Sequence, residues 1–216
     1  LGAHVQEVVT RLINEDGIAV IEYTIDFTLV DGVSGKDILN DDDMLYNKFL
    51  VSLDKELGDK YTLGVAASTW NLNYTKKAIK AIDTFEIMTY DFVDAQGRHA
   101  TYEDTIAQLG AIKEQKLPLE KVNIGLPFYS RPTDLSAYWH GYNSCYDGID
   151  ENGWYHCPNT GKDFWFNTPD VIEAKTEYAI NNGYGGVMIW HYNCDLPSTH
   201  EDSLHRAIGT AINNNY

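Results

Sequence analysis

Apolar residues along this chain follow two different periods, and the switches between them mark its elements. Short runs dense in apolar and β-branched residues at 18–23 (IAVIEY), 62–68 (TLGVAAS), 85–91 (FEIMTYD), 122–128 (VNIGLPF) and 186–191 (GVMIWH) predict strands. Helical spacing predicts helices at 3–14, 43–58, 74–83, 102–116, 169–182 and 204–213. In the first of these, Val5, Val8, Val9, Leu12 and Ile13 fall on one stripe. Asp31-Gly32, the 94–97 stretch, Asn182-Gly183 and Pro118 supply turn and stop signals between the segments. Strands that alternate with helices and are apolar almost throughout belong in a parallel sheet covered by helices. The pattern is α/β, read as one domain over residues 1–216.

Composition narrows what such a domain can bind. The 216 residues are 44% hydrophobic and 22% charged, which is globular composition. Sixteen basic against thirty-two acidic residues leave a formal charge of −16, and a surface of that sign repels nucleic-acid phosphates and anionic bilayers. No apolar run approaches the length of a membrane span. Neutral ligands such as a sugar polymer fit this surface. Cys145, Cys157 and Cys194 are too few for a disulfide-built fold. One Cys145–Cys157 bridge and free thiols both remain open readings. These cysteines with His156 and His191 match no zinc spacing. The Asn40-Asp41-Asp42-Asp43 run reads as a helix N-cap favoured by the macrodipole, not as a calcium loop.

Function in parallel α/β folds collects at the carboxyl ends of strands. There the DGIAVIEYTID segment ends in Glu22, Tyr23 and Asp26, FEIMTYDF presents Met88, Tyr90 and Asp91, and VNIGLPFYSR presents Tyr129 and Arg131. The last, YGGVMIWHYNCD, presents Met188, Trp190, Tyr192 and Asp195. The MTYD, GLPFYSR and GGVMIW wording, in this order and approximate spacing, resembles glycoside hydrolase family 18, the chitinases and endo-β-N-acetylglucosaminidases. GLPFY or GGVM alone would be weak; three segments in order, each at a strand end, are specific.

The resemblance covers essentially the whole chain and implies an eight-stranded (β/α) barrel, a TIM barrel, read from its third helix and fourth strand to its last helix. Such a barrel typically needs about 250 residues. Five strands are found here, so the first three strand–helix units are expected to be missing. The aromatic-rich 132–168 segment, with Trp139, Trp154 and Trp165, reads as an insertion before the last strand. It fits further sugar subsites and a small self-packed subdomain equally well.

By resemblance, the chain hydrolyses β-1,4-linked N-acetylglucosamine in chitin or a related glycan. The substrate's own acetamido oxygen attacks the anomeric carbon, and a glutamic acid protonates the leaving oxygen. Glu22, followed by Tyr23, matches that acid. Tyr90 matches the tyrosine that hydrogen-bonds the acetamide, with Asp91 its neighbour on the sugar and Met88 lining the pocket. Trp190 matches the aromatic floor under the reacting sugar, where a flat ring stacks on a pyranose face. Tyr129 and Arg131 match a polar wall beside it, and Trp139 is a further substrate-binding candidate. No metal or organic cofactor is implied. The expected partner is an N-acetylglucosamine-containing glycan, with no nucleic acid and no membrane, and the family implies secretion.

One feature departs from the family's DxxDxDxE. Residues i and i−2 share a strand face, and the position two before Glu22, where the assisting aspartate belongs, is Val20. Asp16-Gly17-Ile18 resembles the family's DGI at an interval one residue too short, and a one-residue slip exchanges faces unless a bulge absorbs it. Asp26, on the Glu22 face if the strand continues, could substitute. Val20 also motivates the alternative, a non-catalytic chitinase-like protein that binds sugar.

Overall fold

The computed structural model describes residues 5–13, 19–27, 35–136 and 138–215, with side chains from residue 46 onward except 60. The chain divides into two compact units, Leu1–Met44 and Leu45–Tyr216. The first unit holds a hairpin, in which β1 (Val5–Ile13) runs antiparallel to β2 (Ala19–Phe27), with Val5 opposite Phe27, Thr10 opposite Glu22 and Ile13 opposite Ala19.

The hairpin corrects two expectations. The 3–14 stretch, expected to be helical, is strand over its described part. The 18–23 run pairs with it antiparallel instead of joining a parallel sheet. The physical reason is in the residues. Val5, Val8, Val9, Thr10 and Ile13 are all β-branched, which stiffens χ1 and favours the pleated strand over the helix that the same apolar spacing allows. Helix α1 (Gly35–Leu57) starts well before residue 43, so the Asn40–Asp43 run lies inside the helix and not at its start.

The larger unit is built from strand–helix repeats. Strands β3 (Gly64–Ala67) and β4 (Thr84–Ile87) flank helix α2 (Lys76–Ala81); helix α3 (Tyr102–Gln115) then leads to strand β5 (Val122–Pro127). After β5, β6 (Tyr129–Ser130) pairs antiparallel with β7 (His140–Gly141), a turn of helix α4 follows (Tyr142–Cys145), and β8 (Trp154–Cys157) forms a hairpin with β9 (Lys162–Trp165). Helix α5 (Pro169–Asn181), strand β10 (Gly186–Trp190) and helix α6 (Leu204–Asn215) complete it. Four strands form one parallel sheet in the order β3-β4-β5-β10, so each crossover carries at least one helix and all four carboxyl ends open on one edge.

The caps explain why the helices begin where they do. The Thr101 side chain accepts the Asp104 N–H at 3.2 Å and Glu103 and Asp104 sit in the first turn of α3, where they favour the positive end of the helix dipole. Pro169 opens α5, where its missing N–H costs nothing.

Two apolar clusters hold the unit together. One packs Val65, Phe85, Ile87, Val122 and Ile124 of the sheet against Leu109 and Ile112 of α3. The other joins Leu126 and Phe128 to Tyr142, Phe164, Phe166, Ile172 and Leu204, so much of the aromatic 132–168 segment is core of this unit. Cys145, Cys157 and Cys194 are buried free thiols within it. Among the described residues no helix is long and apolar enough to cross a membrane.

Candidate active site

The carboxyl ends of β4 and β5 bring Tyr90, Asp91, Tyr129 and Arg131 into direct contact. Past Ile87 the β4 strand leaves the ladder, while Met88 N–H still donates to Ala67 O at 2.9 Å. The buried Thr89 hydroxyl donates to Gly125 O at 2.8 Å, and Tyr90 then crosses over β5. Gly125 makes that crossing possible: a Cβ there would sit 2.4 Å from Ile87 O and 2.9 Å from Tyr90 Cε1. Asp91 follows with φ +66°, a left-handed backbone that aspartate tolerates better than most residues.

The Asp91 carboxylate is held from two sides. Arg131 Nε donates to Oδ1 at 2.7 Å and Nη2 to Oδ2 at 2.9 Å, a bidentate fork, while the Tyr129 hydroxyl donates to Oδ1 at 2.5 Å. The Arg131 Nη1 donates to Ser136 O at 3.2 Å, which fixes the guanidinium plane. Burial alone would raise the Asp91 carboxyl, but the Arg131 guanidinium and the Tyr129 hydroxyl outweigh it and hold the group well below the usual carboxylate range. The Tyr90 phenol is pushed up by burial and by the Asp91 charge, so it stays a protonated donor at any physiological pH. The Tyr129 phenol is raised by burial and by its bond to Asp91.

The same edge carries a run of edge-to-face rings. Tyr90 meets Tyr129 at 6.0 Å between centroids, Tyr129 meets Trp139 at 5.5 Å, Trp139 meets His191 at 5.8 Å, and His191 meets Trp190 at 5.8 Å. Trp190 ends β10 with half of its surface exposed (51%), and its carbonyl accepts the Phe128 N–H at 2.8 Å. The Trp190–His191 peptide is cis. Trp139 is likewise exposed, at 42%. The edge therefore offers an anchored carboxylate, protonated phenols and two solvent-facing indoles to one ligand.

Other expected residues fall elsewhere. Met88 is half-buried at the end of β4. Asp195 serves the helix that follows β10: its carboxylate accepts the Leu204 and His205 N–H groups at 2.8 and 2.9 Å and the Ser203 hydroxyl at 2.8 Å, which caps α6. Glu22, Val20 and Asp26 lie in β2, whose side chains fall outside the described residues. Tyr192 and Asp195 line a concavity of about 460 Å³ together with Asn143, Asn193 and His205. Among the described residues no group of His, Cys, Asp and Glu is arranged to hold a metal ion.

Two residues missed by sequence reading bear on Asp91. The Asp91 N–H donates to His99 Nε2 at 3.1 Å, and the buried His99 imidazole is pulled down by burial, so it is neutral. Lys175, on α5, supports the chain beside His99. Lys175 has no local signature, because its partner Ala100 lies 75 residues away, and His99 reaches Asp91 only through the closure of the loop between them.

Sequence and structure comparison place this parallel α/β unit among known proteins. The chain matches the pattern of the glycosyl hydrolases family 18 over residues 8–195, and it belongs to that family. It is 24% identical over 198 residues to chitinase C of Streptomyces lividans, a match that takes in 69% of this chain and 32% of that protein. The chain thus spans about a third of the length of the curated relatives it matches. Among solved structures it is similar to a family 18 chitinase from the chitin utilization locus of Flavobacterium johnsoniae, with a TM-score of 0.62 and 26% identity, covering 78% of this chain and 56% of that one. A class V chitinase from Nicotiana tobaccum in complex with NAG4 has the same fold, with a TM-score of 0.61 at 16% identity, covering 85% of this chain and 66% of that one. The fold of these neighbours is the TIM barrel.

Proposed function

We propose that the chain hydrolyses β-1,4-linked N-acetylglucosamine glycans, chitin or a related polymer, with retention at the anomeric carbon and with the substrate's acetamide as nucleophile. The single observation that carries the reading is the Asp91 cluster: an ionised carboxylate locked by Arg131 and Tyr129 beside a Tyr90 phenol that stays protonated. A nucleophilic acetamide needs a donor on its carbonyl and a fixed negative charge near the cation that forms. Tyr90 and Asp91 meet those needs. Trp190 takes the reacting sugar's apolar face, Trp139 and Met88 line the neighbouring space, and Arg131 with Tyr129 forms the polar wall. Glu22 is the general acid, with Asp26 the available second carboxylate on its strand. In this reading the 132–168 segment is an insertion whose exposed Trp139 extends the cleft, and the protein acts on its glycan outside the cell.

A second reading rests on Val20, where an assisting aspartate is expected: the chain binds such glycans without cleaving them. Incubation with a β-1,4-linked N-acetylglucosamine tetramer, followed by proton NMR of the first products, separates the two. β-Anomeric ends appearing first support cleavage by the acetamide route. α-Anomeric ends overturn the route, and tight binding with no product establishes the second reading.

A further inference from the structure

Lys175 is among the largest fully buried side chains of the described residues, and the sugar chemistry proposed above makes no direct use of it. Its ammonium reaches the Asp91 neighbourhood from behind. Nζ donates to Ala100 O at 2.6 Å and to Asn167 Oδ1 at 2.5 Å, and Asn167 Nδ2 donates in turn to His99 O at 3.0 Å. One cation and one amide thus grip the two consecutive carbonyls of His99 and Ala100. Ala100 is held at φ +48°, a conformation alanine rarely adopts, and Asp91 at the other end of the same loop sits at φ +66°.

The loop between them closes on itself. Ala100 N–H donates to Phe92 O at 2.9 Å, Val93 bridges His99, and Asp94 accepts the Arg98 Nε at 2.7 Å. The closure aims the His99 ring at Asp91. His99 Nε2 accepts the Asp91 N–H at 3.1 Å, so Nδ1 carries the ring proton, and Nδ1 finds no partner among the described residues. One hydrogen bond, through Nε2, is all that the ring's own nitrogens supply. Besides its packing on the Tyr129 ring at 5.3 Å, it depends on the consecutive carbonyls of His99 and Ala100, and Lys175 with Asn167 holds both.

We propose that Lys175 is a positioning residue for Asp91: through Asn167 and the His99–Ala100 carbonyls it seats the His99 ring that fixes the Asp91 backbone, and so sets the carboxylate in the sugar site. The assignment to a sugar site rests on the function proposed above. The positioning itself does not.

Burying an amine at the back of this loop is costly, which is why its cost must be offset by what it holds. Burial pulls Lys175 down to about 7, against the opposing pull of Asp104 and Glu103 on α3. A methionine of similar length would fill the same space without that penalty. Packing alone therefore gives no reason for a lysine at this position.

The test uses Lys175→Met in the full chain. Amide hydrogen exchange is read first, by NMR. At least tenfold faster exchange at Asp91, with the amides of β5 unchanged, is the expected result; unchanged exchange at Asp91 overturns the proposal. Affinity for a β-1,4-linked N-acetylglucosamine tetramer is read second, in the wild-type and Asp91→Asn backgrounds. A tenfold loss in the first and less than twofold in the second shows that Lys175 acts through Asp91. Equal losses in both would mean a general packing role and overturn the proposal. If the wild-type chain binds no tetramer, the sugar reading fails, and the exchange result still decides the positioning. Should Lys175→Met not fold, Asn167→Ala removes the link to the His99 carbonyl and carries the same expectation at the Asp91 amide.

Discussion

Arg131 grips both oxygens of the Asp91 carboxylate, at 2.7 and 2.9 Å, across 40 residues of sequence. Two parallel charge-assisted bonds fix orientation as well as charge, which a lysine at the same place could not do. The pair is partly open to solvent, with 39% of the Asp91 side chain exposed, so its role is geometric more than stabilising.

The pH response follows from the direction of the shift. Asp91 is held below its ordinary 3.8, so the unfolded chain takes up this proton first as the pH falls. Its contribution to stability is complete above about pH 5 and is lost progressively through and below 3.8. Asp91→Asn removes that component, and melting temperatures between about pH 5 and 2 fall less steeply than in the wild type. Arg131→Met moves Asp91 back toward the ordinary carboxylate range, which a carbon-detected NMR titration of the carboxyl reads directly. An Asp91 titration unmoved by Arg131→Met would contradict the assigned cause.

Gly125 and Gly110 should answer oppositely to the same substitution. A Cβ at Gly125 meets Ile87 O at 2.4 Å and Thr89 N at 3.1 Å, both backbone atoms that cannot turn aside. Gly125→Ala is expected to cost about 1–3 kcal/mol in denaturant unfolding and to displace Tyr90. Gly110, inside α3, has nothing within 4 Å of its Cβ position, and Gly110→Ala is expected to stabilise by about 0.5–1 kcal/mol.

Trp190 and Trp139 share the candidate edge but differ in their support. Trp190 closes β10 and presents half of its ring to solvent, whereas Trp139 leans edge-on against Tyr129. Trp190→Ala is expected to weaken binding of an N-acetylglucosamine tetramer by about tenfold or more, in line with an aromatic anchor of a binding site. Trp139→Ala should weaken it less. Calorimetric titration checks the order, and an unchanged affinity in Trp190→Ala would remove it from the sugar site.

Most of the larger unit was legible in the sequence because its two periods are clean. The run at 122–128 matches β5 closely, that at 85–91 matches β4 only as far as Ile87, and the 102–116 and 169–182 stripes match α3 and α5. The 3–14 stripe was ambiguous, since Val5, Val8, Val9 and Ile13 satisfy a helical spacing and a β-branched strand alike. Residues Tyr90, Asp91, Tyr129 and Arg131 were found because each ends or follows a strand of one parallel sheet. His99 and Lys175 escaped, because Lys175 and its partner Ala100 are 75 residues apart and no local pattern announces such a bond. Asp195 looked like a strand-end carboxylate and is a helix cap, a role set by Leu204 and His205 further along the chain.

Turnover of Glu22→Gln tests the proposed cleavage of β-1,4-linked N-acetylglucosamine, with Glu22 as its general acid. The wild type and the variant are compared on the tetramer, with affinity measured alongside. With Glu22 as the acid, turnover is expected to fall by about 10²–10⁴-fold while the affinity stays within a few-fold. Equal turnover in both proteins would contradict it, as would a wild type that binds the tetramer and releases no product.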